Sequence, residues 1–152
     1  MGRKLEKLIK EVLSNQVLLI AVLSWAIAQG LKLIITFIQE KKWDFTKLFS
    51  AGGMPSSHSS FVMALTVGIG QVEGYHTSLF AIAAVFSFIV MYDAAGVRWE
   101  SGQQAAAINR IIHMLQDPDI KLERQLKEIL GHTPLQVSMG AILGIIVATI
   151  FF

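Results

Sequence analysis

Two short blocks of this chain combine glycine, proline, hydroxyl and imidazole groups. In Gly52-Gly53-Met54-Pro55-Ser56-Ser57-His58-Ser59 the glycines free the backbone and Pro55 can open a helix, with hydroxyls and one imidazole around its start. Backbone N–H groups at a helix N-terminus make a ready anion site. Leu130-Gly131-His132-Thr133-Pro134 uses the same device: glycine, imidazole, hydroxyl, then proline at a helix start. A capped turn would explain a generic Gly/Ser stretch, but not a histidine set beside those donors. A serine-hydrolase reading fails, because adjacent Ser57 and His58 make no nucleophile–base geometry and no Gly-x-Ser-x-Gly is present.

Other polar groups fall where lipid should forbid them. Lys32 lies inside the apolar run 17–38, and a charge at bilayer depth costs about 2.5–3.5 kcal/mol even on a lenient insertion scale. Gln29 lies one turn earlier on the same face, so both can point into a bundle. Lys32 then reads as a cation over an anionic ligand or, more blandly, as a side chain snorkelling to the near interface. Asp93-Ala94-Ala95-Gly96-Val97-Arg98 closes a later apolar run, and Asn109 follows on the next polar stretch. That Asp and Arg read as functional groups or as a structural ion pair. His76 and His113 have no such surroundings and read as surface residues.

Two imidazoles, at least two cations and a helix N-terminus on one membrane face describe a phosphate site. One imidazole can attack phosphorus while the other protonates the leaving oxygen. Cations and N–H groups hold the equatorial oxygens, where transition-state charge spreads. No cluster of Asp and Glu suggests a metal, so metal-independent chemistry without a cofactor is expected.

The elements that must position these groups are membrane helices. Of 152 residues, 53% are hydrophobic and 16% charged, against about 25% charged in soluble domains. With a mean hydropathy of +0.56, a soluble globule of this size could not hide so much apolar surface. A single all-α domain over 1–152 is expected, a polytopic helix bundle with about four spans. They are 16–38, a short run at 61–72 extended into the Ser-rich stretch, 77–92 and 135–152. Residues 3–14 predict a basic amphipathic helix for the membrane surface, and polar helices with a break at Asp117-Pro118 are expected between the last two spans. The first apolar run is too long for a signal-peptide core and is read as a retained span. The connector at 39–50 is polar, with Trp43 at the interface. Gly140, Gly144 and Ala148 form a small-residue stripe through which helices, or two copies of the chain, could approach.

The pI near 9.0 rests on a net charge of only +2, which suits lipid headgroups better than a nucleic-acid footprint. There is no cysteine, so thiolate chemistry is excluded. Segments 39–60 and 93–134 share a side of a four-span bundle and carry eight Lys/Arg, which predicts that they face the cytoplasm of a cell-membrane protein.

Together the blocks resemble the divergent branch of the type 2 phosphatidic acid phosphatase and vanadium haloperoxidase superfamily. The resemblance runs from Ala28-Gln29 and Lys32 through 52–59, 93–98 and 102–109 to 131–137. In that superfamily a Pro-Ser-Gly-His block supplies phosphate contacts and a general-acid histidine. A later histidine forms a phosphoenzyme, aided by an aspartate four residues on, and Lys and Arg bind phosphate. The resemblance implies His58 as acid and His132 as nucleophile, with Lys32, Ser56, Ser57, Arg98, Gln29 and Asn109 around the phosphate. The pattern departs at Ser57, which replaces glycine, and at Gln136, which replaces the aspartate. It also departs at Leu126, where an arginine belongs, since Arg124 lies too early. Asp93 is expected to supply the missing orienting carboxylate and Arg98 the missing cation. The implied activity is hydrolysis of a lipid phosphate, phosphatidylglycerophosphate first, with polyprenyl (undecaprenyl) diphosphate as the alternative. A non-catalytic lipid-phosphate-binding protein is the competing class, kept open by Gln136.

Overall fold

A computed structural model describes residues 2–41, 53–115 and 131–152. The expected interfacial Trp43, the Asp117-Pro118 break, Arg124, Leu126 and the His113 side chain lie outside the described residues. Every element within them is a helix: α1 Gly2–Leu13, α2 Gln16–Glu40, α3 Ser57–Glu73, α4 Ser78–Ala95, α5 Val97–Leu115 and α6 Pro134–Phe151. The starts of α2, α3, α4 and α6 are each capped by a side-chain oxygen, from Asn15, Ser56, Thr77 and Thr133. Such a cap satisfies an N–H that the first turn leaves without a helical partner.

Three stretches, Gln16–Glu40, Ser78–Ile112 and Pro134–Phe151, are long and apolar enough to cross a bilayer. The remaining expected span is α3, with 17 residues, which packs against α2, α4 and α6. Its helix takes in the Ser-rich stretch, and its buried positions are small or hydroxylic: Ser57, Ser59, Ser60, Ala64, Thr66, Gly68 and Gly70, with Val62 among them. That composition follows from the solvent. Lipid tails are as apolar as leucine, so helices associate through close packing and hydroxyl bonds rather than through apolar burial. Ser24 and Ser60 join α2 to α3 through hydroxyls 2.6 Å apart, and Thr66 and Ser87 join α3 to α4 at 2.6 Å. The large apolar side chains point outward, Ile82, Phe88 and Ile150 among the most exposed.

α6 lies hard against α3. A Cβ at Gly140 would overlap the Ser56 carbonyl oxygen, and one at Gly144 would overlap that of Ser60. The glycine face that could have joined two copies is thus occupied within the chain by α3, and an oligomer would need another face. At the other end of the bundle the Phe152 ring and Val17 meet over Gly68, so α6 ends beside the start of α2. α1 buries none of its residues: Leu5, Leu8, Ile9, Val12 and Leu13 stay exposed opposite its basic side. That is the form of a helix lying on a membrane surface.

Gly140→Ala is expected to destabilise the bundle by about 1–3 kcal/mol, the usual cost of forcing atoms into a filled space. Gly30→Ala, where a new Cβ meets nothing within 4 Å, should be neutral or gain up to about 1 kcal/mol of helix propensity. Thermal unfolding in detergent separates the two; equal melting temperatures would contradict the α3–α6 contact.

Candidate active site

The start of α3, the start of α6 and the end of α4 are tied at one end of the bundle by two backbone bonds. The Ser56 N–H donates to the Gln136 carbonyl at 3.0 Å, and the His132 N–H donates to the Ala94 carbonyl at 3.0 Å. Gly131 makes this possible, because any side chain there would overlap the backbone of Trp99. The ties bring the two histidines face to edge, with ring centroids 6.3 Å apart and planes at 61°. Together with Val90, Asp93, Ala94, Arg98 and Gly131 they line a cavity of about 30 Å³. That is room for about two waters.

Lys32 does not snorkel. Its residue is 3% exposed, and its stem runs beneath Gly53, where a Cβ would sit 3.2 Å from the lysine Cδ. Gly53 also has φ +86°, a left-handed conformation that only glycine adopts freely. The lysine charge acts on both imidazole rings. Arg98 and Asp93 sit at the cavity wall as a pair, the Arg98 Nε donating to Asp93 Oδ2 at 2.7 Å. Both side chains are about half exposed, so the pair adds little stability. What it does is hold a guanidinium beside His58.

The hydrogen-bond partner of His132 is Gln136, and Asp93 is committed to Arg98 instead. Gln136 Oε1 accepts from the Thr133 N–H at 3.1 Å and lies 3.3 Å from His132 Nδ1. Because a backbone N–H faces that amide atom, it must be the oxygen, and an amide oxygen only accepts. The bond to Gln136 therefore places a proton on Nδ1, and a neutral ring then carries its lone pair on Nε2. Burial pushes the His132 pKa down, and the charges of Lys32 and His58 push the same way. The bonds from Gln136 and the Gly53 backbone oppose this, and the net result is a value below that of a free imidazole. Near neutral pH the ring is uncharged.

The remaining expected residues divide. The buried Ser56 hydroxyl is occupied by the α3 cap, accepting from the Ser59 N–H at 3.3 Å and from the Ser59 hydroxyl at 3.0 Å. Ser57 is buried in the first turn of α3, Gln29 is half-buried one turn before Lys32, and Asn109 is buried on α5. None of these four lines the cavity. Sequence reasoning passed over Gln136 as a positioning group. Its signal was the Thr133-x-x-Gln136 capping box, which the structure forms. Among the described residues no three His, Asp or Glu side chains converge as a metal site.

The pattern of the divergent PAP2 family matches residues 13–147. The chain belongs to the divergent PAP2 family. The matched stretch holds both histidines, Lys32, the Asp93–Arg98 pair and Gln136. The chain is also 38% identical over 151 residues to a Bacillus subtilis (strain 168) protein named "Uncharacterized membrane protein YuiD", covering 92% of this chain and 96% of that one. No solved structure matches it.

As an anion site, this divergent PAP2 centre should depend on its buried cation. Lys32→Met is expected to weaken binding of inorganic phosphate by about tenfold to a hundredfold, the worth of one hydrogen bond to a charged group. Isothermal titration of the purified protein measures it, and unchanged affinity would remove Lys32 from the site.

Proposed function

We propose that this membrane protein is a lipid phosphate phosphatase whose substrate is phosphatidylglycerophosphate and whose nucleophile is His132. The observation that carries the reading is the pair of opposed imidazoles across a small cavity, with Lys32 and Arg98 supplying positive charge around it. His132 Nε2 attacks phosphorus and the ester P–O bond breaks, while His58, whose pKa burial and Arg98 lower in the free protein and a bound phosphate dianion raises, gives the proton of its imidazolium form to the departing alkoxide. Water then attacks the phosphohistidine with His58 taking its proton, and phosphate and free His132 are released. Lys32 and Arg98 balance the charge on the equatorial oxygens in both steps. The site is read as facing the cytoplasm of a cell membrane. Support comes from the eight Lys/Arg of segments 39–60 and 93–134, which in sequence join the ends of α2 and α4 to the starts of α3 and α6.

A second reading, a lipid-phosphate-binding protein without turnover, draws on Gln136. A neutral amide orients His132 but does not offset the imidazolium charge as a carboxylate would. Incubation with phosphatidylglycerophosphate, with polyprenyl diphosphate tested alongside, separates the readings. Phosphate release with a trapped phosphohistidine supports hydrolysis; tight binding without release supports the second reading. His132→Ala should abolish both turnover and the covalent intermediate. His58→Ala should slow lipid ester cleavage by about 10²–10⁴-fold, the usual worth of a positioned proton donor. The loss should shrink for nitrophenyl phosphate, whose leaving group needs no proton.

The pH dependence has a definite sign. His132 must be neutral to attack, and its pKa is lowered in the fold. With nitrophenyl phosphate, phosphoenzyme formation should therefore stay level from pH 8 down to about 6.5, the ordinary imidazole value, and fall only below it. A rate that already halves above pH 7 would contradict a buried, neutral His132.

A further inference from the structure

We infer that the groove between α2 and α6 holds an acyl chain of the lipid whose phosphate lies at His58 and His132. This inference rests on the proposed function for its headgroup but not for its tail site. Leu31 and Ile35 from α2, Met54 and Pro55 from the turn before α3, and α6 from Met139 to Ile146 enclose about 200 Å³ with no charged side chain. Between Met139 and Ile146, α6 rises about 10 Å, a third of a hydrocarbon core of about 30 Å. Gly53 links the groove to the histidines, because it packs on the Lys32 stem and bonds the His132 ring while the next residue, Met54, lines the groove. Leu31 precedes the buried Lys32, and Met54 follows Gly53, which packs on the lysine stem. Val90, Ala94 and Gly131 line the cavity at the histidines and none of them lines the groove. A headgroup held by Lys32 therefore has its apolar exit past Met54 and Pro55.

Two other surfaces of the described residues lack this combination. The larger hollow of about 530 Å³ is edged by Ser14, Asn15, Gln16 and Glu73, at the end of the bundle away from the histidines. The outward side chains of α4, such as Ile82 at 67% exposure and Phe88 at 66%, are largely exposed. They suit annular lipid, which needs no phosphate.

The test uses phosphatidic acid carrying a diazirine midway along one acyl chain, in phosphatidylcholine vesicles containing the full chain as the His132→Ala variant. Photolabel should concentrate in segments 31–35 and 139–146, and be displaced by unlabelled phosphatidic acid but not by added phosphatidylcholine. Label spread equally over segment 79–92, or displaced equally by both lipids, would overturn the inference. In the otherwise unaltered protein, Ile142→Trp should lower the ratio of long-chain phosphatidic acid to nitrophenyl phosphate turnover about tenfold. Ile82→Trp should leave that ratio as in the parent; equal ratios in all three proteins would again count against the groove. Focused labelling of the variant, with no phosphate released by the unaltered protein, would leave the groove standing and remove the phosphatase reading. Phosphate release with diffuse labelling would do the reverse.

Discussion

The crossing of α3 and α6 at Gly140 and Gly144 is the constraint on which the site depends. Two helix backbones in lipid come this close only where side chains are missing, and here the Ser56 and Ser60 carbonyls lie where Cβ atoms would otherwise stand. That approach lets the Ser56 N–H reach the Gln136 carbonyl, which fixes the first turn of α3 against that of α6. The two histidines project from either side of this junction. Were the helices separated by even one methyl group, the rings would part and the Gln136 bond would lengthen. The catalytic geometry proposed above is thus a packing consequence before it is a chemical one.

Charge is distributed so that the site is positive. Lys32 is buried beneath Gly53, and Asp93 is paired with Arg98. His132 is oriented by a neutral amide rather than a carboxylate. A carboxylate at position 136 would have partly cancelled the lysine and raised the affinity of the ring for a proton. Gln136 keeps the tautomer while leaving the cations to act on an incoming anion. In the proposed function a phosphate dianion would balance this lysine.

The same solvent explains the rest of the bundle. Hydroxyl pairs between α2, α3 and α4 replace the apolar burial that would hold a soluble core together, and the large apolar side chains face outward. Polar groups of the site gather at the one end where α2 and α4 finish and α3 and α6 begin. There, four chain segments can meet without exposing their backbone to hydrocarbon.

What the sequence determined by itself is what depends on local composition and period. Runs of apolar residues long enough for a bilayer specify the helices, and the Pro, Ser and Thr residues at 55–57 and 133–134 specify where α3 and α6 begin. Lys32 at bilayer depth and two histidines at helix starts mark the site, because lipid makes such residues costly unless they have a partner or a task. Which groups touch was decided only by the tertiary structure. Asp93 was expected to orient His132 and Gln136 stood only as a departure from the family pattern, because sequence spacing does not say which side chain reaches Nδ1. The fold settles it through the α6 capping box, with Asp93 turned to Arg98. Ser56, Ser57, Gln29 and Asn109 matched a phosphate-binding pattern by type, yet Ser56 caps its own helix and none of the four lines the cavity. The stripe at Gly140 and Gly144 was read as a site of close helix approach that left an oligomer face open, because a small-residue pattern specifies close approach but not the partner. Only the folded chain shows that the partner is α3.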